Sequence, residues 1–173
     1  MIGKIIFFIR NINKFIATSL ACIKDKKVKD NKIHIESAIS WLLKAQEKGK
    51  GGFSRQYSLY KGWDKPYPET TGYIIETMIK ASSYLNKREY KDSAFLAGEW
   101  LLNIQNKNGS FSDVDGNPQA FDTAQVISGF ISLYEISKDL KFLNASCKAG
   151  EWLVSIQEKD GSLFSYYGRK RGV

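Results

Sequence analysis

Three copies of one pattern constrain this chain more than anything else in it. Trp41-Leu42-Leu43-Lys44-Ala45-Gln46, Trp100-Leu101-Leu102-Asn103-Ile104-Gln105 and Trp152-Leu153-Val154-Ser155-Ile156-Gln157 follow one another at intervals of 59 and 52 residues. Each runs into a glycine turn and an aromatic: Gly51-Gly52-Phe53, Gly109-Ser110-Phe111 and Gly161-Ser162-Leu163-Phe164. A period of this length marks supersecondary units that bury their apolar faces only against their neighbours. The spacing within each copy is that of a helix end. Trp, Leu and the residue before Gln recur at i, i+1 and i+4 as one buried stripe. Gln lies in the last turn, where its amide can bond free carbonyls, and glycine supplies the positive φ that ends the helix.

A second helix follows each of the first two loops. Glu69-Thr70-Thr71-Gly72 opens the apolar run through Tyr73, Ile74, Ile75, Met78 and Ile79, and Asp122-Thr123-Ala124-Gln125 opens Val126, Ile127, Phe130, Ile131 and Leu133. Asp122 with Gln125, and Asn86 with Glu89, have capping-box spacing. The predicted helices are 2–22, 34–47, 69–85, 89–106, 122–136 and 140–158, and no strand alternation stands out. An all-α chain of stacked helical hairpins follows. Its repeats cover about 34–88, 89–138 and 139–173, behind a basic amphipathic helix and linker at 1–33. Two hairpins are complete and a third contributes only its outer helix.

The formal charge of +8 raises the question of an acidic partner, and its distribution answers it. Residues 1–33 hold eight Lys or Arg against Asp25 and Asp30, and Arg169, Lys170 and Arg171 add three more at the other end. Between 34 and 168 there are 15 basic and 16 acidic residues, so the repeat body is nearly neutral. A nucleic-acid binder carries its charge along a folded face among base-reading residues, and no nucleic acid is expected as a partner. Ile2, Ile5, Ile6, Ile9, Ile12, Phe15, Ile16 and Leu20 form one side of the first helix, interrupted by Arg10 and Lys14 elsewhere. The run is too short for a membrane span. Such a helix packs on the body or lies on an anionic membrane, the latter helped by the lysines between 24 and 32. The expected location is cytoplasmic, with peripheral contact at the inner face of the membrane as the alternative.

Metal and cofactor chemistry finds little to work with. Cys22 and Cys147 stand far apart without CxxC spacing, and His34 is the only histidine, so no metal site, no His-based triad and no cofactor are expected. His34 reads as a surface or helix-end residue. Asp113-x-Asp115-x-Asn117 resembles the start of a calcium loop, but Pro118 and Ala124 stand where the glycine and closing glutamate belong. A turn is the simpler reading.

Lys148-Ala149-x-x-Trp152-Leu153-x-x-x-Gln157-x-x-x-Gly161 resembles the QW repeat of triterpene cyclases, and Asp122-Thr123-Ala124 resembles the end of their acid motif. The resemblance implies a terpenoid cyclase-like α/α toroid, here a partial one. It argues against the cyclase reaction, because Gln119 and Phe121 stand where further aspartates are needed. The related protein prenyltransferase β-subunits use a zinc held partly by His, which has no counterpart here. A longer stretch, Gly51-Gly52-Phe53-Ser54-Arg55-x-Tyr57-Ser58-Leu59-x-x-Gly62-Trp63 and Tyr67-Pro68-Glu69-Thr70-Thr71-Gly72-Tyr73-Ile74-Ile75, is similar to the VpsJ-like polysaccharide-biosynthesis family. That resemblance spans residues 34 to about 168. It implies a role in capsule or exopolysaccharide production and a polysaccharide or oligosaccharide partner. Members of that family are longer, so the stack is expected to leave an edge that oligomerisation covers, or to be a truncated remnant.

The first loop is the elaborated one, with 22 residues between Gln46 and Glu69 against 16 between Gln105 and Asp122, and function concentrates in such loops. Arg55 suits a uronate or other anion, and Tyr60, Trp63, Tyr67 and Tyr73 offer faces on which sugar rings stack. Gln125 adds an amide beside them. Glu69 and Asp122 hold similar positions at helix starts on one rim, where two carboxyls can serve as acid and base in glycoside cleavage. A lyase would instead use Tyr57 as base with Arg55 neutralising the uronate. The structural alternatives are plain: acids at helix N-termini cap and complement the dipole, and loop aromatics pack. The expectation is a glycan-interacting protein, hydrolase- or lyase-like, with a non-catalytic scaffold as the alternative and a prenyl or terpenoid enzyme further off.

Overall fold

The computed structural model describes residues 30–163 together with Ile12, Ile16, Ala17, Ser19 and Leu20. The expected helix 2–22 otherwise lies outside the described residues, as do Phe164 and the basic C-terminal residues. Those five residues are helical, and Ile12, Ile16 and Leu20 are exposed.

Among the described residues, five longer helices and one small hairpin follow in order: α1 (Asn31–Gly49), β1 (Tyr57–Ser58), β2 (Gly62–Trp63), α2 (Pro68–Leu85), α3 (Arg88–Ile104), α4 (Ala120–Ser137) and α5 (Leu140–Ser155). The all-α class holds. The hairpin is the departure: Tyr57 pairs with Trp63 and Ser58 with Gly62. Two residues per strand are too few to show alternation, so no periodicity could announce it.

Local chemistry sets the helix ends. Asp30 accepts from Lys32 N at 2.7 Å and Asp139 from Lys141 N at 3.1 Å, so aspartate starts α1 and α5. Pro68 opens α2, where its missing N–H costs nothing. Lys50, Asn86 and Lys138 end α1, α2 and α4 in the left-handed region at φ 53°, 53° and 59°. The predicted capping boxes do not form. Asn86 closes α2 instead of opening α3, whose N-cap is Lys87, and Asp122 lies inside α4, whose N-cap is Gln119. Asn86 thus lies one residue before the observed N-cap of α3, and Asp122 three residues after that of α4.

α2 and α4 lie side by side, with α3 packed on α2 and α5 on α4 across two-residue connections. Ile75, Met78, Leu101, Val126, Phe130, Leu133 and Phe142 fill the space between them. The close approach of α2 and α4 depends on Gly72 and Gly129. A Cβ at Gly72 would lie 2.7 Å from the Gln125 carbonyl oxygen, so only glycine fits.

Three bonds repeat in the first two units. Phe53 N donates to Thr71 Oγ1 at 2.9 Å and Phe111 N to Thr123 Oγ1 at 3.0 Å, and both phenylalanines are fully buried. Gln46 Nε2 donates to Gly51 O at 2.9 Å and to Ser93 O at 2.8 Å; Gln105 Nε2 donates to Gly109 O at 3.0 Å and to Ala145 O at 2.9 Å. The glutamine thus ties its own turn to the next outer helix, a longer reach than helix capping. Gly51, Gly109 and Gly161 have positive φ as expected.

The Trp stripe is not uniformly buried. Trp152 is 8% exposed, Trp100 is half-buried and Trp41 is 48% exposed. The gradient has a steric origin. Trp100 lies beneath the preceding turn, where a Cβ at Gly52 would come within 2.5 Å of its ring, whereas no described turn precedes Trp41.

Candidate functional site

The candidate carboxyls sit at the starts of α2 and α4, each held by the loop before it. Tyr67 N donates to Phe53 O at 3.1 Å and Gln119 N to Phe111 O at 2.9 Å, and isolated bridges join Ser54 to Pro66 and Ser112 to Pro118. Eleven residues lie between Ser54 and Pro66 and five between Ser112 and Pro118. The hairpin is therefore a six-residue insertion into an otherwise common frame.

That frame places the two carboxyls at similar, though not identical, positions of their helices. With Thr71 matched to Thr123 and Tyr67 to Gln119, Asp122 corresponds to Thr70, and Glu69 corresponds to Phe121. The two acids stand one register position apart. They nevertheless stand close enough to interact. Burial pushes the Glu69 carboxyl above its usual range, the charge of Asp122 adds to the rise, and a hydrogen bond with Thr70 opposes it. Asp122 is 6% exposed. Burial raises its affinity for a proton, the Asp113 charge adds, and a hydrogen bond with Tyr67 opposes. Its Oδ2 is buried without a hydrogen-bond partner among the described residues, the arrangement in which a carboxyl favours its neutral form.

Tyr67 joins the two parts of the predicted site. Its side chain reaches Asp122, and its ring carries the Arg55 guanidinium 5.7 Å from the centroid. Arg55 is also engaged by Asp64, with Nη2 to Oδ2 at 2.7 Å, and Gln56 Nε2 donates to the same oxygen at 3.1 Å. Arg55 therefore presents its charge already paired.

Tyr57 and Trp63 pack against α1, where they form a three-ring cluster with Trp41. Centroid distances are 5.3 Å for Trp41 with Tyr57, 4.7 Å for Trp41 with Trp63 and 5.0 Å for Tyr57 with Trp63. Tyr60 is exposed at the hairpin turn, Tyr73 is exposed one turn along α2 from Glu69, and Gln125 is half-buried one turn along α4 from Asp122. Of the nine candidates, Glu69, Asp122, Tyr67 and Arg55 are linked by interactions, and Tyr73 and Gln125 follow one turn along the same helices. Tyr57 and Trp63 pack with Trp41, and Tyr60 stands at the hairpin turn.

Phe121 was missed as a candidate. It is 63% exposed beside Asp122, and an apolar ring left on the solvent side of a helix start was the signal. Trp41 was missed because it was assigned to the buried stripe.

The Asp113 segment is the predicted turn. Asp113 Oδ1 accepts from Asp115 N and Asn117 N, both at 2.9 Å, and Oδ2 from Gln119 Nε2 at 2.9 Å. Among the described residues no cluster of His, Cys, Asp or Glu is placed to hold a metal ion, and no helix is long and apolar enough to cross a membrane. No protein-family model, curated protein or solved structure matches the chain.

Proposed function

We propose that this chain is a partial α/α toroid whose mouth binds glycan during capsule or extracellular-polysaccharide production, with Glu69 as the proton-transferring group. The observation that carries the reading is the Glu69–Asp122 pair. Two carboxyls at neighbouring helix starts, both with raised proton affinity, suit acid–base work on a glycosidic oxygen. Glu69 is the half-exposed member and meets the substrate. Asp122, buried behind it, acts through Glu69 and Tyr67 and sets when Glu69 gives up its proton. Phe121 and Tyr73 flank the pair with exposed rings on which a sugar stacks. A hydrolase fits this arrangement better than a lyase, since Tyr57 packs on Trp41 and Arg55 is paired with Asp64. A polyprenyl or terpenoid substrate lacks support in a mouth lined by carboxyls. The exposed Ile12, Ile16 and Leu20 favour a helix that rests on the inner face of a membrane near the polymer.

The test is Glu69→Gln assayed on purified capsular and extracellular polysaccharides, with new reducing ends and binding measured separately. Release of reducing ends by the wild type, lost in Glu69→Gln with binding retained, supports the hydrolase. Binding without turnover in either protein leaves the scaffold reading, which the loop-packing roles of Arg55, Tyr57 and Trp63 favour. No binding of any glycan removes both.

A further inference from the structure

The contact between one turn and the next outer helix occurs twice, and its two halves recur at the ends of the described stack with no further repeat against them, although the hairpin residues Tyr57 and Trp63 touch Trp41. In α3 the receiving surface is Ser93, Ala97 and Trp100; in α5 it is Ala145, Ala149 and Trp152. Ser93 and Ala145 accept the Gln46 and Gln105 amides; a Cβ at Gly109 would run into Lys148 O, and one at Gly51 would press on Trp100 Cβ at 3.3 Å. α1 carries the same spacing as His34, Ala38 and Trp41. There all three are exposed, whereas Ser93, Ala97, Ala145, Ala149 and Trp152 are buried.

The donating half shows the complementary gradient. Gln46 is buried, Gln105 half-buried and Gln157 exposed. Gln157 Nε2 already donates to Gly161 O at 2.9 Å, the bond by which the other two are set for their second acceptor. Beside the α1 stripe, Ile35, Leu42, Ala81 and Tyr84 line an apolar groove of about 460 Å³. The α3 counterparts of Ile35 and Leu42 are Ala94 and Leu101, both fully covered.

We propose that the Gln157–Gly161 turn of one copy docks on the His34–Ala38–Trp41 face of α1 of a second copy, continuing the stack head to tail. The occupant is a second copy because the chain carries both halves of a contact it already makes twice within itself. The two halves are different surfaces at opposite ends, so the association is heterologous and yields rings or open chains of copies.

Sedimentation velocity of the full chain across a wide concentration range tests this. The average mass of the wild type should rise above that of a monomer. Ala38→Arg and Gln157→Arg, both at exposed positions, should each weaken association at least tenfold, with circular dichroism unchanged. Mixing the two variants should restore pairing and stop at the heterodimer, since each retains one intact edge. Ser37→Arg, on the same face, substitutes for Ala38→Arg should that variant fold poorly. A wild type that stays monomeric at every concentration overturns the proposal. So does an oligomer that either blocked edge leaves intact, or a mixture that does not pair. Occupation of the α1 face by residues 1–29, or by an unlike protein, appears as that monomer.

Discussion

Gly129 of α4 faces the backbone of Gly72 of α2 so closely that a Cβ on Gly129 would lie 2.5 Å from the Gly72 carbonyl oxygen. The obstacle is main chain in both directions, so no side-chain rotation relieves it. Gly72→Ala or Gly129→Ala should therefore push the helices apart and cost about 1–3 kcal/mol, despite the better helix propensity of alanine. Chemical denaturation measures it. A stabilising effect at either position would show that the helices do not meet this way. Because Glu69 and Asp122 ride on these helices, the same variants should alter the proton affinity of Glu69.

The three repeated glutamines should not be equal. Gln46 holds Gly51 O and Ser93 O and accepts from Ser93 Oγ, all buried, and its replacement by Leu strands two carbonyls and a hydroxyl. The expected loss is about 2–4 kcal/mol. Gln105→Leu should cost less, because Ala145 supplies no hydroxyl. Gln157→Leu should fall within about 0.5 kcal/mol of the wild type in the monomer. An inverted order in thermal unfolding would refute the role assigned to these amides.

Asp122 is destabilising when charged. Its folded-state proton affinity lies above the unfolded value, so the folded chain binds more protons and stability falls as pH rises through the window between the two pKa values. Asp122→Asn should stabilise the protein at neutral pH, by about 1 kcal/mol, and the gain should vanish at pH values below both. It should also lower the Glu69 titration midpoint by removing a neighbouring negative charge, an effect that carbon NMR of the side-chain carboxyl reads directly. An unchanged Glu69 midpoint would separate the two groups.

Arg55→Ala should be nearly silent. Its ion pair with Asp64 is partly exposed, and surface pairs of this kind contribute about 0–1 kcal/mol. Binding of uronate-bearing glycans should not change either, since the charge is already paired. A large loss of affinity, measured by calorimetry, would mean that substrate displaces Asp64.

The repeat was legible because it is written in residues that tolerate no substitute: glycines at positive φ, a glutamine with two carbonyls to hold, a tryptophan over a turn. From these the helix order followed, with ends misplaced by one to three residues wherever a cap had several candidates. The site was harder to read. Glu69 and Asp122 could be placed at helix starts, but their register depended on Thr71 and Thr123, whose hydroxyls accept from Phe53 and Phe111 across the loop. Sequence carries no local mark of such a long-range bond. Tyr57, Trp63 and Arg55 were assigned to the mouth by residue type, while their partners, Trp41 on α1 and Asp64 later in the same loop, came from packing that periodicity does not encode.

The pinch formed by Phe53 with Tyr67, and by Phe111 with Gln119, has an evolutionary corollary. Everything beyond the pinch can lengthen, shorten or change chemistry without disturbing the spine, as the six extra residues of the first loop demonstrate. A lineage built this way diversifies by exchanging what is plugged into identical sockets, so loop length will vary between relatives far more than the Thr-to-Phe lock beneath it.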